Sequence, residues 1–576
     1  MRSFRGRRWE VAGADPALAE EIARAAGVPL LTGRILAGRG FSPETARRFV
    51  DPTLRELLPD PRSLLGMDAA VERVRRALSE GERICVWGDY DVDGACSTAL
   101  MVRVLRALGA DPSFRIPDRL TEGYGPNEAG ILALAAEGIG LLVVVDAGTT
   151  AFGPLAAAAS AGLDVVVLDH HAAEEVLPGA VAVVNPNRRD QAPGMGHLCA
   201  AGVCFLFSVA LVAAERAAGR RDLPDLRRWL DLVALATVAD VVPLRGLNRA
   251  FVRHGLPRIS AEDGLAGLAA LARAAGIRGA VEAHHLGFAL GPRINAGGRV
   301  GDAAAGTRLL VTDDPAEAAA IAGRLDAWNR ERQEIEKACL EEARGQVDAA
   351  SPVAFAAGEG WHEGVVGIVA SRLKDATDRP AFVFARAHDG SWRGSGRSVA
   401  GFDLGAAVIE ARRSGLLEKA GGHAMAAGAT CSADGLGAFR AFLEASVAES
   451  GVLDAGVSSA ADLVVPLGLL DGAVVDAAWP LEPFGQGNPT PRIVVPRVRV
   501  RSADLLKGLH LRAEVESDGR RLKAIAFQAA GTALAEGVLG AMGREVDLLG
   551  VASINEWNGR RSVELRLEDA RLSEGG

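Results

Sequence analysis

Asp89, Asp91 and Asp93 stand on alternate positions directly after an apolar run in RICVWGDYDVDGACST, residues 83–98. Carboxylates this close repel one another unless a hard divalent cation neutralises them. The chain then repeats the pattern. LLVVVDAG ends its apolar run at Asp146, LDVVVLDHH ends at Asp169, His170 and His171, and DLVALATVADVVPL carries Asp240 past a run that reads as a buried helix. One acidic turn alone would be a solvated surface feature; three strand ends and a helix end with the same chemistry are a ligand set. Aspartate with imidazole suits Mn²⁺ or Mg²⁺, whereas zinc sites more often recruit cysteine or several histidines. Two such ions sharing a carboxylate are the usual device for in-line attack on a phosphate ester.

The elements that must position these groups follow from the flanking residues. β-branched runs of four to six residues read as buried strands, and Gly94 with its small-residue sequel reads as a turn into a helix. From about 75 to 280 strands alternate with helical segments, the pattern of a parallel sheet, and the acids fall at its carboxyl edge, where ligands bind. Residues 305 to 350 predict a long connecting helix. A second α/β unit follows: PVAFAAG, RPAFVFAR and AMAAGATC as strands, EGVVGIVASRLKDA and FDLGAAVIEARR as helices. The last eighty residues hold several short strands, with SDGR and Asn558-Gly559 as hairpin turns, and predict a small barrel such as an OB-fold.

At 576 residues and 49% hydrophobic content the chain is long enough for three or four packed domains. Its net charge of −9 argues mildly against a nucleic-acid partner, but nine Lys/Arg against four acids lie between Arg492 and Lys523, an excess that fits a barrel tracking a single strand. Six scattered cysteines form no disulfide framework. No apolar signal core follows the basic N-terminus and no uninterrupted apolar stretch is read as long enough to span a bilayer, so a cytoplasmic protein with no membrane partner is expected.

GDYDVDG, VVVDAG, LDHH and VADVVPL, in this order, resemble the four motifs of the DHH phosphoesterase superfamily. GPRINAGGRVGDA, WHEGVVGIVASRL, GSGRS, GGHAMAAG and LEPFGQGNP are similar to segments of its RecJ family of single-strand-specific 5′→3′ DNA exonucleases. The resemblance implies an N-terminal cap (1–70), a parallel-sheet DHH catalytic domain (71–300), a connecting helix (301–350), an α/β DHHA1 domain (351–455) and an all-β OB-fold barrel with its linker (456–576).

It also implies two divalent ions, Mn²⁺ or Mg²⁺. Asp91 and Asp93 each bind one, Asp146 bridges them, and His170 and Asp240 complete the shell. Trp87 stands where some relatives carry a histidine, leaving Asp89 or water to take that place, while Asp169 orients His170. His171 contacts the scissile phosphate or protonates the leaving oxygen. Arg299 lies near the reacting phosphate, with Arg293 and Asn295 holding its loop. Arg119, Ser395 and Arg397 grip a 5′-terminal phosphate, and His423 lines the cleft. Trp361, Trp392 and Phe402 are either base-stacking or core residues.

The implied activity is release of nucleotides from the 5′ end of single-stranded DNA in recombination and repair. A single-strand-binding protein and a RecQ-like helicase are the implied partners, and the chain is expected to be a monomer. Two alternatives stand beside this: a DHH/DHHA1 phosphodiesterase of short oligonucleotides or dinucleotides, whose members usually lack the terminal barrel, and a catalytically silent DNA-binding scaffold, whose members lose ligand residues.

Overall fold

The β-branched runs form the parallel strands that their composition predicts. The computed structural model describes residues 2–119, 121–387, 389–453, 458–557 and 560–574. One unit comprises Arg48–Glu331 and Leu481–Pro489. Its strands β1 (Ile84–Trp87), β2 (Ser113–Arg115), β3 (Leu141–Val145), β4 (Asp164–Leu168) and β5 (Ala182–Val184) form a fully parallel sheet in the order β2-β1-β3-β4-β5. Alternate residues feed opposite layers: Ile84, Val86, Val143 and Val145 face one core, Cys85, Trp87, Leu142 and Val144 the other. The chain leaves β1 for one neighbour and returns on its other side as β3, so the sheet has a topological switch point between them.

Four helices of this unit matter for the site: α1 (Val92–Ala107), α2 (Ala200–Ala217), α3 (Leu230–Ala239) and α4 (Gly246–Ile259). Helix α2 is longer and more apolar than the sequence reading allowed, and by length and composition alone it could cross a membrane. It is a core helix, 67% buried within the unit, and its first N–H groups are spent on Asp93. Helix α5 (Gly291–Val300) corrects the expectation of a loop in RINAGGR. Its glycines serve close packing: a Cβ on Gly298 would lie 3.1 Å from Tyr90, and one on Gly297 would lie 2.8 Å from the Asp302 carbonyl.

Asp231, in the first turn of α3, is fully buried, and its Oδ2 has no partner among the described residues. Burial pushes its carboxyl up from 3.8 to about 7, with the charges of Arg103 and Arg258 opposing. Raised above its unfolded value, this group contributes stability that is complete below pH 3.8 and lost as the pH rises through about 7. Asp231→Asn should therefore stabilise the protein at pH 8 by about 4 kcal/mol and flatten its pH dependence. Thermal melts of both proteins between pH 5 and pH 8 measure this; parallel curves would refute it.

The N-terminal and linker expectations need correction. Residues 1–70 are not one cap: Arg8–Val11 pairs in parallel with Ser458–Ala461 and the Trp9 indole donates to Asp569, which ties the first 47 residues to the other unit. Leu64 and Met67 instead enter the core of the sheet unit. The connecting helix is α6 (Pro315–Gln346) alone, because the short helix Ala305–Val311 before it packs into the same core. Leu481–Pro489, expected as linker to the barrel, also belongs to the sheet unit. The boundary drawn at 455/456 lies outside the described residues.

The other unit comprises Met1–Arg47, Arg332–Pro480 and Thr490–Gly576. Its α/β part has strands β6 (Ala354–Gly358), β7 (Ala381–Arg386), β8 (Trp392–Arg397), β9 (Lys419–His423) and β10 (Ala426–Cys431), ordered β9-β10-β8-β7-β6, with helices α7 (Val366–Thr377) and α8 (Leu404–Arg413). The glycine-rich β8 and β9 are the strands that composition hides. Gly394 and Gly396 make room for rings, since a Cβ on either would sit 2.4 or 2.5 Å from Phe384 or Phe382. Their neighbours Ser395 and Arg397 occupy the opposite face.

Strands β11 (Ile493–Leu506), β12 (His510–Ser517), β13 (Arg520–Ala526), β14 (Glu545–Trp557) and β15 (Arg560–Leu572) close on one another as β11-β12-β13-β15-β14-β11, a five-stranded barrel. Asp518 and Gly519, both at positive φ, make the SDGR turn; Asn558 and Gly559 lie outside the described residues. Much of the basic excess is neutralised in place, with Arg492, Arg501, Arg512 and Arg521 each paired to a barrel carboxylate.

Candidate metal centre

Each candidate ligand is delivered by an element terminus. Asp89 follows β1. Asp91 caps α1, its Oδ1 accepting the Gly94 N–H at 3.0 Å. Asp93, one residue into the helix, accepts the N–H groups of Ala200 and Ala201 at 2.6 and 2.9 Å, so the N-terminus of α2 fixes both its oxygens. Asp146 ends β3 at φ 56°, a left-handed conformation that aspartate tolerates better than most residues. Asp240 terminates α3.

These side chains converge on three overlapping triads, in each of which the ligand atoms lie within 4.8 Å of one another: Asp89, Asp91 and Asp146; Asp93, His170 and Asp240; and Asp146, His170 and His171. Asp146 joins them, its Oδ1 3.3 Å from His170 Nε2. His170 Nε2 is 3.7 Å from Asp93, and its Nδ1 is 3.1 Å from the Leu198 carbonyl. With Nδ1–H donated to that carbonyl, Nε2 presents its lone pair to the centre. Burial, then the charge of Asp91, pushes Asp89 up to about 8. Burial, then Asp93 and Asp91, does the same to Asp240; Asp93 and Asp146 are raised by burial first of all. The Oδ1 atoms of Asp89 and Asp146 are buried with no hydrogen-bond partner among the described residues. Orphaned carboxylate oxygens at this density fit divalent cations, and little else would stabilise them.

Asp169 departs from its expected role. It accepts only the backbone N–H of His170, while its Oδ1 pairs with His171 Nδ1 at 2.8 Å and its Oδ2 accepts the Thr149 N–H. Burial lowers the His171 imidazole, but the bond and charge of Asp169 outweigh it and raise the ring to about 9. Burial acts to raise Asp169, yet the His171 contact holds it below the ordinary carboxylate range. The His171 side chain is 38% exposed beside the centre.

Arg119 and Arg299 approach one residue that the sequence reading missed. The Arg119 guanidinium lies 5.1 Å from the Tyr90 ring centre, and the charge of Arg299 reaches the same phenol. Arg293 is engaged elsewhere, bonded to Asp326 of α6 and to the Ala289 carbonyl, so it anchors α5. Asn295 Oδ1 is buried with no partner among the described residues. Trp87, in the place of a ligand, is fully buried in the opposite layer under Arg115, so Asp89 fills out the first triad.

Also missed were Tyr124, whose hydroxyl donates to the Asp146 carbonyl at 2.8 Å, and Asn185 and Asn187, whose amides hold the His171 and His170 carbonyls. The NPN run after the apolar β5 was the available signal for the asparagines; nothing in the sequence marks Tyr124.

Ser395, Arg397 and His423 belong to the other unit. Ser395 Oγ accepts from Arg397 at 2.9 Å, and both face the start of α7, where a Cβ on Gly367 would be 3.0 and 3.1 Å away. His423 is exposed at the end of an edge strand. Trp361 and Phe402 are core residues, and Trp392 packs partly against that core.

Comparison with known proteins agrees with this architecture. The DHH family, N-terminal domain, matches residues 83–237, the DHHA1 domain residues 350–449 and the RecJ OB domain residues 461–569. The chain is 38% identical to the single-stranded-DNA-specific exonuclease RecJ of Dickeya dadantii over 94% of this chain and 96% of that one. The same protein of Escherichia coli is 37% identical with the same coverage. The crystal structure of RecJ in complex with Mn²⁺ from Thermus thermophilus superposes with a TM-score of 0.83 at 35% identity, covering 99% of this chain and 80% of that one. A second structure of that protein, in complex with Mg²⁺, gives 0.77.

Proposed function

The chain belongs to the RecJ family of single-stranded-DNA-specific exonucleases, and from that premise we propose that it hydrolyses single-stranded DNA from the 5′ end at the centre built on Asp146. It is a metal-dependent phosphodiester hydrolase that uses Mn²⁺ or Mg²⁺. The observation that carries the site assignment is the set of overlapping aspartate and histidine triads linked through Asp146 and His170, with its orphaned buried oxygens.

Asp89, Asp91 and Asp146 would hold one ion, and Asp93, His170 and Asp240 the other. Bound there, the ions supply charge stabilisation for the attacked phosphate and an acidified water. Leu198 keeps the imidazole of His170 in its ligating tautomer, and the N-terminus of α2 keeps Asp93 from turning away. His171, oriented by Asp169, offers a proton to the leaving 3′ oxygen or a hydrogen bond to the phosphate. Arg299, carried by α5 and anchored through Arg293, adds positive charge for the reacting phosphate, and Asn295 binds beside it. On the sheet unit Arg119 binds a phosphate of the strand; on the other unit Ser395 and Arg397 bind the 5′-terminal phosphate, and His423 contacts the strand. The barrel tracks the departing backbone without base readout.

A monomeric state, a cytoplasmic location and partnership with a single-strand-binding protein and a RecQ-like helicase complete this reading. The six free, buried cysteines fit that location; the family is the support for the partners.

The test is degradation of a long single strand labelled at either end, with Mn²⁺, Mg²⁺ or EDTA. Metal-dependent release beginning at the 5′ label supports the reading. Intact long strands beside cleaved dinucleotides would replace it with a small-substrate phosphodiesterase. Arg397→Ala should erase the preference for a 5′-phosphorylated over a 5′-hydroxyl strand, a loss of about 10- to 100-fold on the scale of a charge-assisted hydrogen bond; an unchanged preference would remove Arg397 from that role.

A further inference from the structure

Leu481–Pro489 precedes the barrel in sequence yet packs within the sheet unit. Its anchor is Arg249, fully buried, which donates to the carbonyls of Leu481, Glu482 and Pro483 at 3.0, 2.6 and 3.2 Å and, through Nε, to that of Phe49. Asn488 closes the segment on itself by donating to the Leu481 and Pro483 carbonyls at 2.7 and 2.9 Å. The closed loop then grips the stretch just beyond Asp240. The Leu244 N–H donates to the Gln486 carbonyl at 2.8 Å. Gly485 lies so close that a Cβ would be 2.7 Å from Leu244 Cδ1, and one on Gly487 would be 3.1 Å from Pro243 Cβ.

Between Asp240 and this grip stands Val241, at φ 58° and 64% exposed. A left-handed conformation costs an L residue roughly 1–2 kcal/mol, and for a β-branched side chain it persists only where its surroundings impose it. The Val241 N–H closes the end of helix α3 onto the Val238 carbonyl at 3.3 Å, its exposed side chain packs on nothing that would hold the turn, and the chain beyond it is held at residues 243–245. A second arm runs from the same place. Asn248 donates to the Pro243 carbonyl at 3.1 Å and to that of His197 at 2.7 Å, and the next carbonyl, Leu198, is the one that orients His170.

We propose that Leu481–Pro489 is a strap that positions the metal ligands Asp240 and His170 by forcing the left-handed turn at Val241. This rests on the metal reading above and adds that the second triad depends on a segment lying far outside the catalytic domain in sequence. Asn488, Gly485 and Arg249 are positioning residues: none belongs to the candidate ligand groups, and they act through the backbone that carries the ligands.

Mn²⁺ binding to the full chain, measured by calorimetry, tests it. The parent protein should take up two ions. Asn488→Ala should weaken one of the two sites by about 10- to 100-fold, as loss of support behind a metal ligand does, while the metal-free variant keeps the parent's unfolding transitions. Gly485→Ala, which removes no hydrogen bond, is the gentler variant should Asn488→Ala not fold. Val241→Gly in either background should restore the affinity, because glycine adopts the turn without strain.

Two intact sites in a folded strap variant would overturn the proposal, and so would a weakened site that Val241→Gly leaves weak. A parent protein that binds no Mn²⁺ would instead refute the metal reading, and the strap's role with it.

Discussion

Asp146→Asn is expected to abolish nuclease activity, by about four orders of magnitude or more, the scale on which one member of a catalytic unit is lost. Asp146 is the one residue common to the first triad and to the His170 contact, so its loss disturbs both ions. Asparagine is the informative replacement because it tolerates the left-handed backbone at φ 56°, whereas alanine would add strain of about 1–2 kcal/mol to the chemical defect. Burial and the charges of Asp93 and Asp91 disfavour the ionised carboxylate in the metal-free protein. The variant should therefore melt at or above the parent's temperature in EDTA and gain less than the parent when Mn²⁺ is added. Activity within tenfold of the parent would remove Asp146 from the centre.

His171→Gln should lower kcat on single-stranded DNA by about 10²–10⁴-fold, the range for a positioned general acid, with KM nearly unchanged. Asp169 holds the ring at 2.8 Å, and the ring stands partly exposed beside the triads, placed for substrate rather than for packing. An activated leaving group separates its two roles. A p-nitrophenyl ester of a nucleotide departs without protonation, so the variant should cleave it almost as well as the parent does if His171 supplies the proton. Equal losses on both substrates would assign His171 to the phosphate contact instead.

The parts of the fold legible in the sequence are those set by local periodicity. The runs before Asp89, Asp146 and Asp169 had to be buried strands, since β-branched residues bounded by turn signals suit little else, and all three are. SDGR had to turn a hairpin because two adjacent residues needed positive φ, and Asp518 and Gly519 take it. The strands β8 and β9 were hidden because glycine weakens the strand signal; only the rings of Phe382 and Phe384 across the sheet explain the glycines of β8, and the close backbone of Ala426 and Ala427 explains Gly422 in β9. Helix α5 was hidden for the same reason, its glycines answering to Tyr90 and Asp302 rather than to a loop.

At the proposed centre, the candidate donor groups could be listed from the sequence and their supports could not. Acids placed one after another at strand ends can lie at one sheet edge in only one way, so Asp89, Asp91, Asp93, Asp146, His170 and Asp240 could be listed from spacing and resemblance. What holds them came from residues far along the chain: the N-terminus of α2 for Asp93, the Leu198 carbonyl for His170, Tyr124 for the backbone of Asp146 and the Leu481–Pro489 segment for the turn after Asp240. The physical reason is that a metal ligand announces itself by its own donor atoms, whereas its support is mostly backbone N–H and C=O. Every residue carries those groups, and only the tertiary fold decides which of them meet.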